Sequence, residues 1–373
     1  MKTNFVNDSN SVLPGVVINQ SPARLGIYIG SPSIAVLPNG EYVASHDYFR
    51  HTGSGQGLQN EMVVFGSDDQ GATWQKRSEL KGFWQNLFVH ERNLYLMGLT
   101  KEYGHVIIRR SIDGGFTWTE PMDRTSGVLL DNMQYHTAPV PVCVHNGRIW
   151  RAMEAAENYA EWAKACSAFV MSARLDTDLL HADNWTTTNR VRCDLSWLNG
   201  DFGGWLEGNV VVAPNGSLVN ILRVDLPRLP EKVAIMTINP TKMQADFDPK
   251  TGFIDFPGGA KKFSIRFDSQ TNAYWALVNS CNAHVIDLEP IAIRNTLALS
   301  RSKDLRAWQV RAVLLEHPEV YRHAFQYADW LFDGDDIIAV VRTAYDDNEG
   351  GANSAHNANY LTFHRFRNFR KLS

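Results

Sequence analysis

The sequence of 373 residues has few cysteines, and none of them stands in a paired spacing. The four cysteines occupy positions 143, 166, 193 and 281, without a C-x-x-C pair. A cysteine-based zinc site or a thioredoxin-like redox motif needs such a pair, so neither is predicted. We expect free and mostly buried thiols, with a Cys166–Cys193 disulfide as the alternative.

Long hydrophobic runs and basic runs are also missing. No stretch of 18 apolar residues occurs, so no membrane partner is expected. The formal net charge is −4 and basic residues form no long run, which disfavours a nucleic-acid partner. Residues 1–10 are polar and lack the apolar core of a secretion signal. Localisation therefore stays open between the cell interior and an exported protein whose signal was removed.

Motifs for metals and cofactors are absent as well. The twelve histidines are dispersed along the sequence and show no zinc-binding spacing. We therefore expect no metal and no cofactor, although folding could still bring His46, His136 and His356 together.

The sequence does contain one eight-residue motif twice. Residues 67–74 read SDDQGATW and residues 111–118 read SIDGGFTW, so both follow S-x-D-x-G-x-T-W at a spacing of 44 residues. The aspartate can accept hydrogen bonds from the backbone of a tight turn, and the glycine allows a left-handed backbone. The tryptophan buries a large apolar surface as the next strand begins. A repeat at this spacing is typical of a propeller.

Paired strand signals indicate the number of repeats. Apolar stretches separated by a turn occur six times, at residues 31–48, 84–99, 137–153, 205–224, 263–279 and 325–342. The prediction is an all-β propeller of four-stranded antiparallel blades, six by this count, with a seventh from residues 12–18 as the alternative. We expect residues 1–373 to form a single domain in which an N-terminal arm, residues 1–25, completes the last blade.

Polar residues at strand ends near the central channel are the candidates for chemistry, because ligands usually bind at one mouth of a propeller. His46 and Asp47 lie at the end of a strand in the first blade. His46 titrates near neutral pH and could transfer a proton, or it is a hydrogen-bonded rim residue. Tyr135 and His136 enter the third blade, where the tyrosine could support catalysis or pack between blades.

The fourth strand pair begins with Trp205 and Glu207 and ends with Arg223. Glu207 is either functional or held in a salt bridge with Arg223. Trp205 could bind a substrate by stacking on a sugar face, as could Trp84, although blade packing explains both tryptophans equally well.

Further polar residues lie near the C-terminal end of the sequence. Gln326 and Tyr327 begin the sixth strand pair, and Arg342 ends it, where a fixed guanidinium can clamp a carboxylate with two hydrogen bonds. His356 and Asn359 follow and are candidates for substrate binding. Arginines and histidines at one mouth predict an oligosaccharide or polysaccharide partner with an anionic sugar.

Residues 31–47, 135–142 and 325–369, together with the repeated motif, resemble sialidase-like β-propellers, whose repeat is known as the Asp-box or BNR repeat. Within that family they are similar to bacterial enzymes that remove rhamnose from rhamnosyl-α-1,4-glucuronate caps of arabinogalactan, described as rhamnosidases or as lyases. The resemblance implies a catalytic histidine, which His46 matches. True sialidases begin an arginine triad with Arg-Ile-Pro, where this sequence has Gly30-Ser31-Pro32.

Residues and resemblance together predict a polysaccharide lyase or glycoside hydrolase that cleaves a bond next to a uronic acid. For hydrolysis, Glu207 and Asp47 are the obvious carboxylate pair. For elimination, the expected roles are carboxylate neutralisation by Arg223 or Arg342, proton transfer by His46 or His136, and support by Tyr135.

Two other functions stay open. A sialidase-like exo-hydrolase would use a tyrosine nucleophile and would need a third arginine, which Arg24, Arg50 or Arg322 could supply. A non-catalytic glycan-binding propeller would instead show exposed aromatic platforms and few titratable groups.

Overall fold

β-Strands make up nearly all of the regular structure of the protein. The computed structural model describes residues 12–50, 60–281 and 288–372 and contains 27 strands within these ranges. The other regular elements are short 3-10 helices, at Ala23–Leu25, Tyr159–Ala165, Ala182–Asn184, Trp197–Gly200, Pro290–Ala292 and Phe369–Lys371. Within the described ranges, no helix is both long and apolar enough to cross a membrane. Residues 1–10, for which we expect no secretion signal, lie outside these ranges.

The strands form six antiparallel sheets, which are the blades of a propeller and are numbered here in chain order. Blade 6 includes the first strand of the chain, β1 (Val16–Gln20). Blade 1 contains β2 (Tyr28–Ile29), β3 (Ser33–Val36), β4 (Tyr42–Phe49), β5 (Glu61–Ser67) and β6 (Gln75–Lys81). Blade 2 contains β7 (Phe83–His90), β8 (Asn93–Leu99), β9 (Val106–Ser111) and β10 (Val128–Leu130).

The remaining blades follow the same pattern, with the innermost strand first. Blade 3 contains β11 (Tyr135–His136), β12 (Cys143–His145), β13 (Arg148–Ala156), β14 (Cys166–Arg174) and β15 (Trp185–Thr187). Blade 4 contains β16 (Trp205–Val212), β17 (Leu218–Val224), β18 (Lys232–Asn239), β19 (Gln244–Asp246) and β20 (Phe253–Asp255). Blade 5 contains β21 (Ser264–Asp268), β22 (Ala273–Val278), β23 (Thr296–Ser302) and β24 (Gln309–Glu316). Blade 6 contains β25 (Ala324–Asp333), β26 (Asp336–Ala344) and β27 (Tyr360–Phe366), with β1 outermost.

The predicted all-β propeller of six antiparallel blades is confirmed, and the alternative of a seventh blade is wrong. The reason lies in the pairing of the N-terminal strand. β1 runs antiparallel to β27, with Val16 opposite Phe363 and Gln20 opposite Tyr360, so it completes blade 6 instead of starting a new blade. That the whole chain forms a single domain stays a prediction.

Apolar clusters lie between neighbouring blades, and the described residues form six of them, one for each interface. The cluster between blades 1 and 2 includes Val43, Val64 and Leu96. The cluster between blades 6 and 1 includes Ile34 and Ile338. Each blade therefore has two apolar faces and needs a neighbour on both sides, a demand that only a closed ring meets.

Polar side chains link the inner strands of neighbouring blades. Asn209 on β16 accepts a hydrogen bond from the backbone N–H of Ile265 on β21 (3.0 Å), which joins blades 4 and 5. Asp329 on β25 accepts one from the hydroxyl of Ser33 on β3 (2.8 Å). The same hydroxyl oxygen accepts one from the N–H of Leu87 on β7 (2.9 Å). Since Asn209, Asp329 and Ser33 are buried, water does not compete for these bonds.

The repeated motif forms the turn between the third and fourth strands of blades 1 and 2. In the second copy, Asp113 accepts hydrogen bonds from the N–H groups of Phe116 (3.1 Å) and Thr117 (2.9 Å). Gly115 has a φ of 98°, and Trp118 packs on the cluster between blades 1 and 2. The first copy makes the equivalent bond from its own threonine N–H. The motif therefore holds a hairpin together and packs it against the preceding blade.

All four cysteines are free thiols, so the alternative of a Cys166–Cys193 disulfide is wrong. The thiol of Cys193 instead donates a hydrogen bond to the carbonyl oxygen of Cys166 (3.2 Å). Burial raises the pKa of Cys193 to about 12, which keeps this sulfur protonated.

Replacing Asp113 with alanine should destabilise the protein by about 1 kcal/mol, because the turn loses its hydrogen-bond acceptor. Burial opposes ionisation of Asp113, yet hydrogen bonds from Thr117 and Ser111 outweigh it and lower the pKa to about 2. The stabilisation is thus present at neutral pH and is lost as the pH falls towards 2. Urea denaturation at several pH values measures the difference between the two proteins.

The matched control is Asp68→Ala, which removes an exposed carboxylate from the first copy of the turn. It should leave stability nearly unchanged. An equal loss in both variants would show that charge, and not turn geometry, matters at these positions.

Candidate functional site

One end of the central channel opens into a cavity of about 570 Å³, a size typical of small-molecule sites. Every blade contributes to its wall, and the turns of the repeated motif do not. Its polar and aromatic lining includes Asp47 from blade 1, Trp84 from blade 2, His136 from blade 3, Glu207 and Arg223 from blade 4, Arg294 from blade 5, and Tyr327 and Arg342 from blade 6.

Three lining residues come from bulges near the start of inner strands. β7, β16 and β25 each shift register soon after pairing with the following strand begins. In each bulge one residue takes a left-handed conformation: Trp84 (φ 50°), Glu207 (φ 57°) and Tyr327 (φ 56°). A bulge leaves one residue out of the ladder and re-aims its side chain. Because inner strands begin at the same end of the ring, the three side chains reach one cavity.

The carboxylate of Glu207 is bound from two sides. Arg223 Nη1 donates to Oε2 (2.8 Å), and the Tyr327 hydroxyl donates to Oε1 (3.0 Å). Arg223 is held in turn by a bond from its Nε to the carbonyl oxygen of Ala260 (2.9 Å). Burial alone would raise the pKa of Glu207, but the charge of Arg223 and the hydrogen bonds from Arg223 and Tyr327 outweigh it and lower the pKa. Glu207 is therefore an ionised acceptor for the tyrosine proton.

Three guanidinium groups surround Tyr327. Arg223 Nη1 lies 3.4 Å from its hydroxyl, and the Cζ atoms of Arg294 and Arg342 lie 5.7 and 5.0 Å from its ring centroid. Nε of Arg342 is buried and has no hydrogen-bond partner among the described residues. Burial lowers the pKa of Arg342 to about 10 and also lowers that of Arg294. The cluster is therefore short of negative charge, which an anionic ligand would supply.

Asp47 supplies a second carboxyl group to the cavity. Its Oδ1 accepts a hydrogen bond from the N–H of Ser31 (2.7 Å), and its Oδ2 accepts one from the N–H of Trp84 (2.6 Å). Complete burial nevertheless raises the pKa to about 6, against the effects of these bonds and of Arg342. A Cβ atom at Gly30 would lie 1.6 Å from Oδ1, so only glycine fits there. A carboxyl group that titrates near pH 6 suits proton transfer.

His136 presents an oriented imidazole. Its Nδ1 lies 2.9 Å from Oε2 of Glu154, and both side chains are buried. Since a carboxylate accepts the proton on Nδ1, Nε2 is the ring nitrogen left for a ligand. The ring centroid of Trp84 lies 4.4 Å from that of His136. Of the described residues, no three His, Cys, Asp or Glu side chains from the cavity wall come within metal-binding distance of one another.

The structure brings seven of the twelve predicted site residues to the cavity and leaves five outside it. Those that line it are Asp47, His136, Glu207, Arg223, Tyr327, Arg342 and His356. Those outside it are His46, Tyr135, Trp205, Gln326 and Asn359.

The expectation that His46 faces the channel mouth requires correction. Side chains alternate along a strand, so His46 points to the opposite side of β4 from its neighbour Asp47. It is fully buried, and its Nε2 accepts a hydrogen bond from Asn19 (2.8 Å). Burial lowers the pKa of His46 to about 4, so the ring is neutral at physiological pH. This placement fits its alternative role, that of a hydrogen-bonded structural histidine.

The other four residues outside the cavity also occupy buried structural positions. Tyr135 packs between blades 2 and 3, and Trp205 lies in the apolar cluster between blades 3 and 4. Gln326 donates a hydrogen bond to the carbonyl oxygen of Ala355 (2.6 Å) and accepts one from Arg294. Asn359 pairs with the backbone of residue 345 through both of its side-chain atoms. Of the four, Gln326 directly supports the cavity wall, because it binds Arg294.

The third arginine of the site is Arg294, which the sequence analysis missed. Of the three candidates for this place, Arg24 pairs with Glu349, Arg322 binds backbone carbonyl groups, and Arg50 does not line the cavity. Arg294 follows a segment without a turn signal, so the search for paired strands did not identify it as a strand end. Its position two residues before the start of strand β23 is the signal that could have identified it.

No protein-family model matches the sequence, and no curated protein matches it significantly. Solved structures do match. An α-L-arabinofuranosidase of Fusarium graminearum has a TM-score of 0.61 at 12% identity, over 96% of this chain and 99% of that one. An α-L-arabinanase of Penicillium chrysogenum complexed with arabinobiose has 0.58 at 12%, over 98% and 100%. A leech intramolecular trans-sialidase complexed with 2,7-anhydro-Neu5Ac has 0.60 at 12%, over 97% and 71%.

At these identities the likeness concerns the fold. It confirms the β-propeller fold, which these arabinan-cleaving enzymes and sialidases share.

Replacing Arg223 with methionine should destabilise the protein by about 3–5 kcal/mol, because the carboxylate of Glu207 then stays buried without its partner. The pair is almost fully buried, with 2% and 3% of the two side chains exposed. Arg228→Met is the matched control, since Arg228 forms an ion pair with Asp201 while 59% of its side chain is exposed. It should cost at most about 1 kcal/mol.

Urea denaturation of both variants and of Glu207→Gln/Arg223→Met measures these losses. The double variant should recover part of the stability, because no unpaired charge remains. Similar small losses at Arg223 and Arg228 would contradict the role given to the buried pair.

Proposed function

We propose that the protein is a carbohydrate-active enzyme that hydrolyses a glycosidic bond of a carboxylate-bearing sugar, with Tyr327 as the nucleophile. The observation that carries this proposal is the hydrogen bond from the Tyr327 hydroxyl to the ionised carboxylate of Glu207, beside three guanidinium groups. A uronic acid, as in rhamnosyl-α-1,4-glucuronate, and a sialic acid both belong to this substrate class.

The proposed reaction has two steps. In the first, Oη of Tyr327 attacks the anomeric carbon, Glu207 accepts the phenolic proton, and Asp47 protonates the departing glycosidic oxygen. In the second, Asp47 takes a proton from water, and that water displaces the tyrosine from the anomeric carbon while Glu207 returns the proton to the phenol. Two displacements at one carbon retain its configuration.

A tyrosine nucleophile suits an anionic substrate for an electrostatic reason. A carboxylate nucleophile would meet the substrate carboxylate as a like charge in a site of low dielectric constant. A phenol is neutral until its proton moves to Glu207. Arg294 and Arg342 lie near the Tyr327 ring and can bind the substrate carboxylate in both ground and transition states.

The ligands of the neighbours agree with the general class. Arabinobiose is a neutral disaccharide, and 2,7-anhydro-Neu5Ac carries a carboxylate. The preference for an anionic sugar rests on the arginines of this chain and not on those neighbours.

Elimination at a uronic acid is the second candidate, and His136 is the observation that favours it. In this route the arginines neutralise the uronate carboxylate, which makes the C5 proton more acidic. His136, oriented by Glu154, removes that proton, and the leaving sugar departs with its bonding electron pair. The product would be an unsaturated uronate.

One experiment separates the candidates. The protein is incubated with rhamnosyl-glucuronate oligosaccharides and with sialyl oligosaccharides, and released sugars and ultraviolet absorbance are followed together. Hydrolysis releases a saturated sugar without a rise in absorbance, whereas elimination produces an absorbing unsaturated uronate. Binding without any product would favour a non-catalytic glycan-binding propeller.

Tyr327→Phe should lower kcat by at least about 100-fold and change the substrate Kd little, because the hydroxyl acts on the reacting carbon. Arg342→Met should weaken binding as well as turnover, since a guanidinium clamp acts in both states. Steady-state kinetics and calorimetric titration measure the two effects. Tyr135→Phe is the control, because that hydroxyl lies outside the cavity. Wild-type turnover in Tyr327→Phe would eliminate the tyrosine mechanism.

The pH dependence of kcat/KM should follow the protonation state of Asp47. Its pKa of about 6 means that the proton needed by the leaving group is present below this pH and is lost above it. We therefore expect kcat/KM to fall as the pH rises through about 6, and Asp47→Asn to be slow and to lack this limb. Asp68→Asn, the control, should keep the fall in kcat/KM as the pH rises through about 6. A limb that persists in Asp47→Asn would assign the titration to another group.

A further inference from the structure

The connection between β24 and β25 brings two histidines and a glutamate together outside the cavity. His317, Glu319 and His323 each offer a ligand atom, and the three atoms lie within 4.8 Å of one another. The rings of His317 and His323 are stacked, with centroids 3.6 Å apart and an angle of 14° between their planes. Two imidazolium cations would repel each other at this distance, so the arrangement favours at least one neutral ring with a free lone pair.

A fourth side chain and an unsatisfied nitrogen complete the cluster. Nδ1 of His323 lies 2.6 Å from Oε2 of Glu319. Nε2 of His323 is buried without a hydrogen bond to any described residue, and it lies 3.4 Å from Oδ2 of Asp346. Only 6% of His323 is exposed. When a metal ion is bound at Nδ1, the ring proton is on Nε2 and Asp346 can accept it, the pairing that usually orients a metal-binding histidine.

We propose that His317, Glu319 and His323 bind a zinc ion, with His323 using Nδ1, the ring nitrogen that faces Glu319. Two imidazoles and one carboxylate form a donor set that zinc accepts in four-coordinate geometry, with water as the fourth ligand. Calcium and magnesium prefer sites made only of oxygen, which the two histidines disfavour. With neutral imidazoles, Glu319 and the neighbouring Asp346 together carry two negative charges, which a divalent cation balances.

The position of the cluster indicates a structural role next to the cavity and not a role in catalysis. Val320 and Tyr321, which lie between the ligands in sequence, line the cavity, whereas the ligand side chains do not. Glu319 also accepts hydrogen bonds from the N–H groups of Tyr321 (2.6 Å) and Arg322 (2.9 Å), which fixes the turn. Asp346 follows β26, the strand that carries Arg342. Zinc would therefore tie one wall of the cavity to the strand that bears an arginine of the site.

Metal content tests the proposal without any substrate, so its outcome is separate from that of the proposed function. The protein is stripped with a chelator, dialysed against zinc and then against buffer, and analysed by plasma mass spectrometry. We expect about one zinc per chain, a rise in Tm on zinc addition, and visible absorbance after cobalt substitution. A folded protein that retains no zinc would overturn the proposal.

Variants locate the ion. His317→Ala and Glu319→Gln should each weaken zinc binding by at least about tenfold and abolish the rise in Tm. Glu319→Gln keeps the side-chain size and one of the two backbone hydrogen bonds of the turn, so it tests the site even if removal of His317 affects folding. His105→Ala removes an exposed histidine elsewhere and should bind zinc like the wild type. Equal zinc binding by all three variants would place the ion at another site and refute this one.

Discussion

The hydrogen bonds that join neighbouring inner strands fix the positions on which the site depends. Asn209 and Asp329 are two residues beyond Glu207 and Tyr327 in their strands, and each binds the adjacent blade. The bulges of β16 and β25 are thus each anchored two residues after the side chain that they expose to the cavity. Because these anchors are buried, the separation of Glu207 from Tyr327 is set by the scaffold and not by flexible loops.

The charge balance of the cavity follows from the side chains that the inner strands bring together there. Arg223 is compensated by Glu207, whereas Arg294 and Arg342 have lowered pKa values because burial is not matched by a nearby anion. Burial also lowers the pKa of Lys262, which donates a hydrogen bond to the carbonyl oxygen of Ala328 on β25, to about 8. The protein bears the desolvation cost of these cations during folding, so an arriving carboxylate finds donors that are already dehydrated and oriented. The proposed selectivity for an anionic sugar rests on this arrangement.

Local sequence was enough to predict the fold, because each blade repeats the same short-range signals. Six strand pairs and two complete turn motifs marked the repeat, and burial of both faces of every blade required closure. The ends of strands and the residues after them also identified seven residues of the cavity wall. Strand phase was harder to predict: His46 and Asp47 are adjacent, and only the alternation seen in the sheet decides which of them faces the channel.

Residues outside the hairpins could not be predicted in the same way. Arg294 belongs to a connection without periodicity, and its place at the site depends on how blade 5 meets blade 6. Likewise, His317 and His323 are six positions apart in an irregular segment, so no strand or helix spacing indicates that their rings stack. Such contacts arise from tertiary packing, and a sequence window does not contain them.

The three bulges have an implication for how this ring can change over evolutionary time. Trp84, Glu207 and Tyr327 occupy the same structural slot in different blades, yet they are an aromatic, an acid and a phenol. Because the unpaired residue makes no ladder contact, its side chain points at the cavity while the strand keeps its register and its core contacts. A substitution at Trp84 can therefore change specificity with little effect on the ring, whereas a substitution at Glu207 also leaves Arg223 without its buried partner.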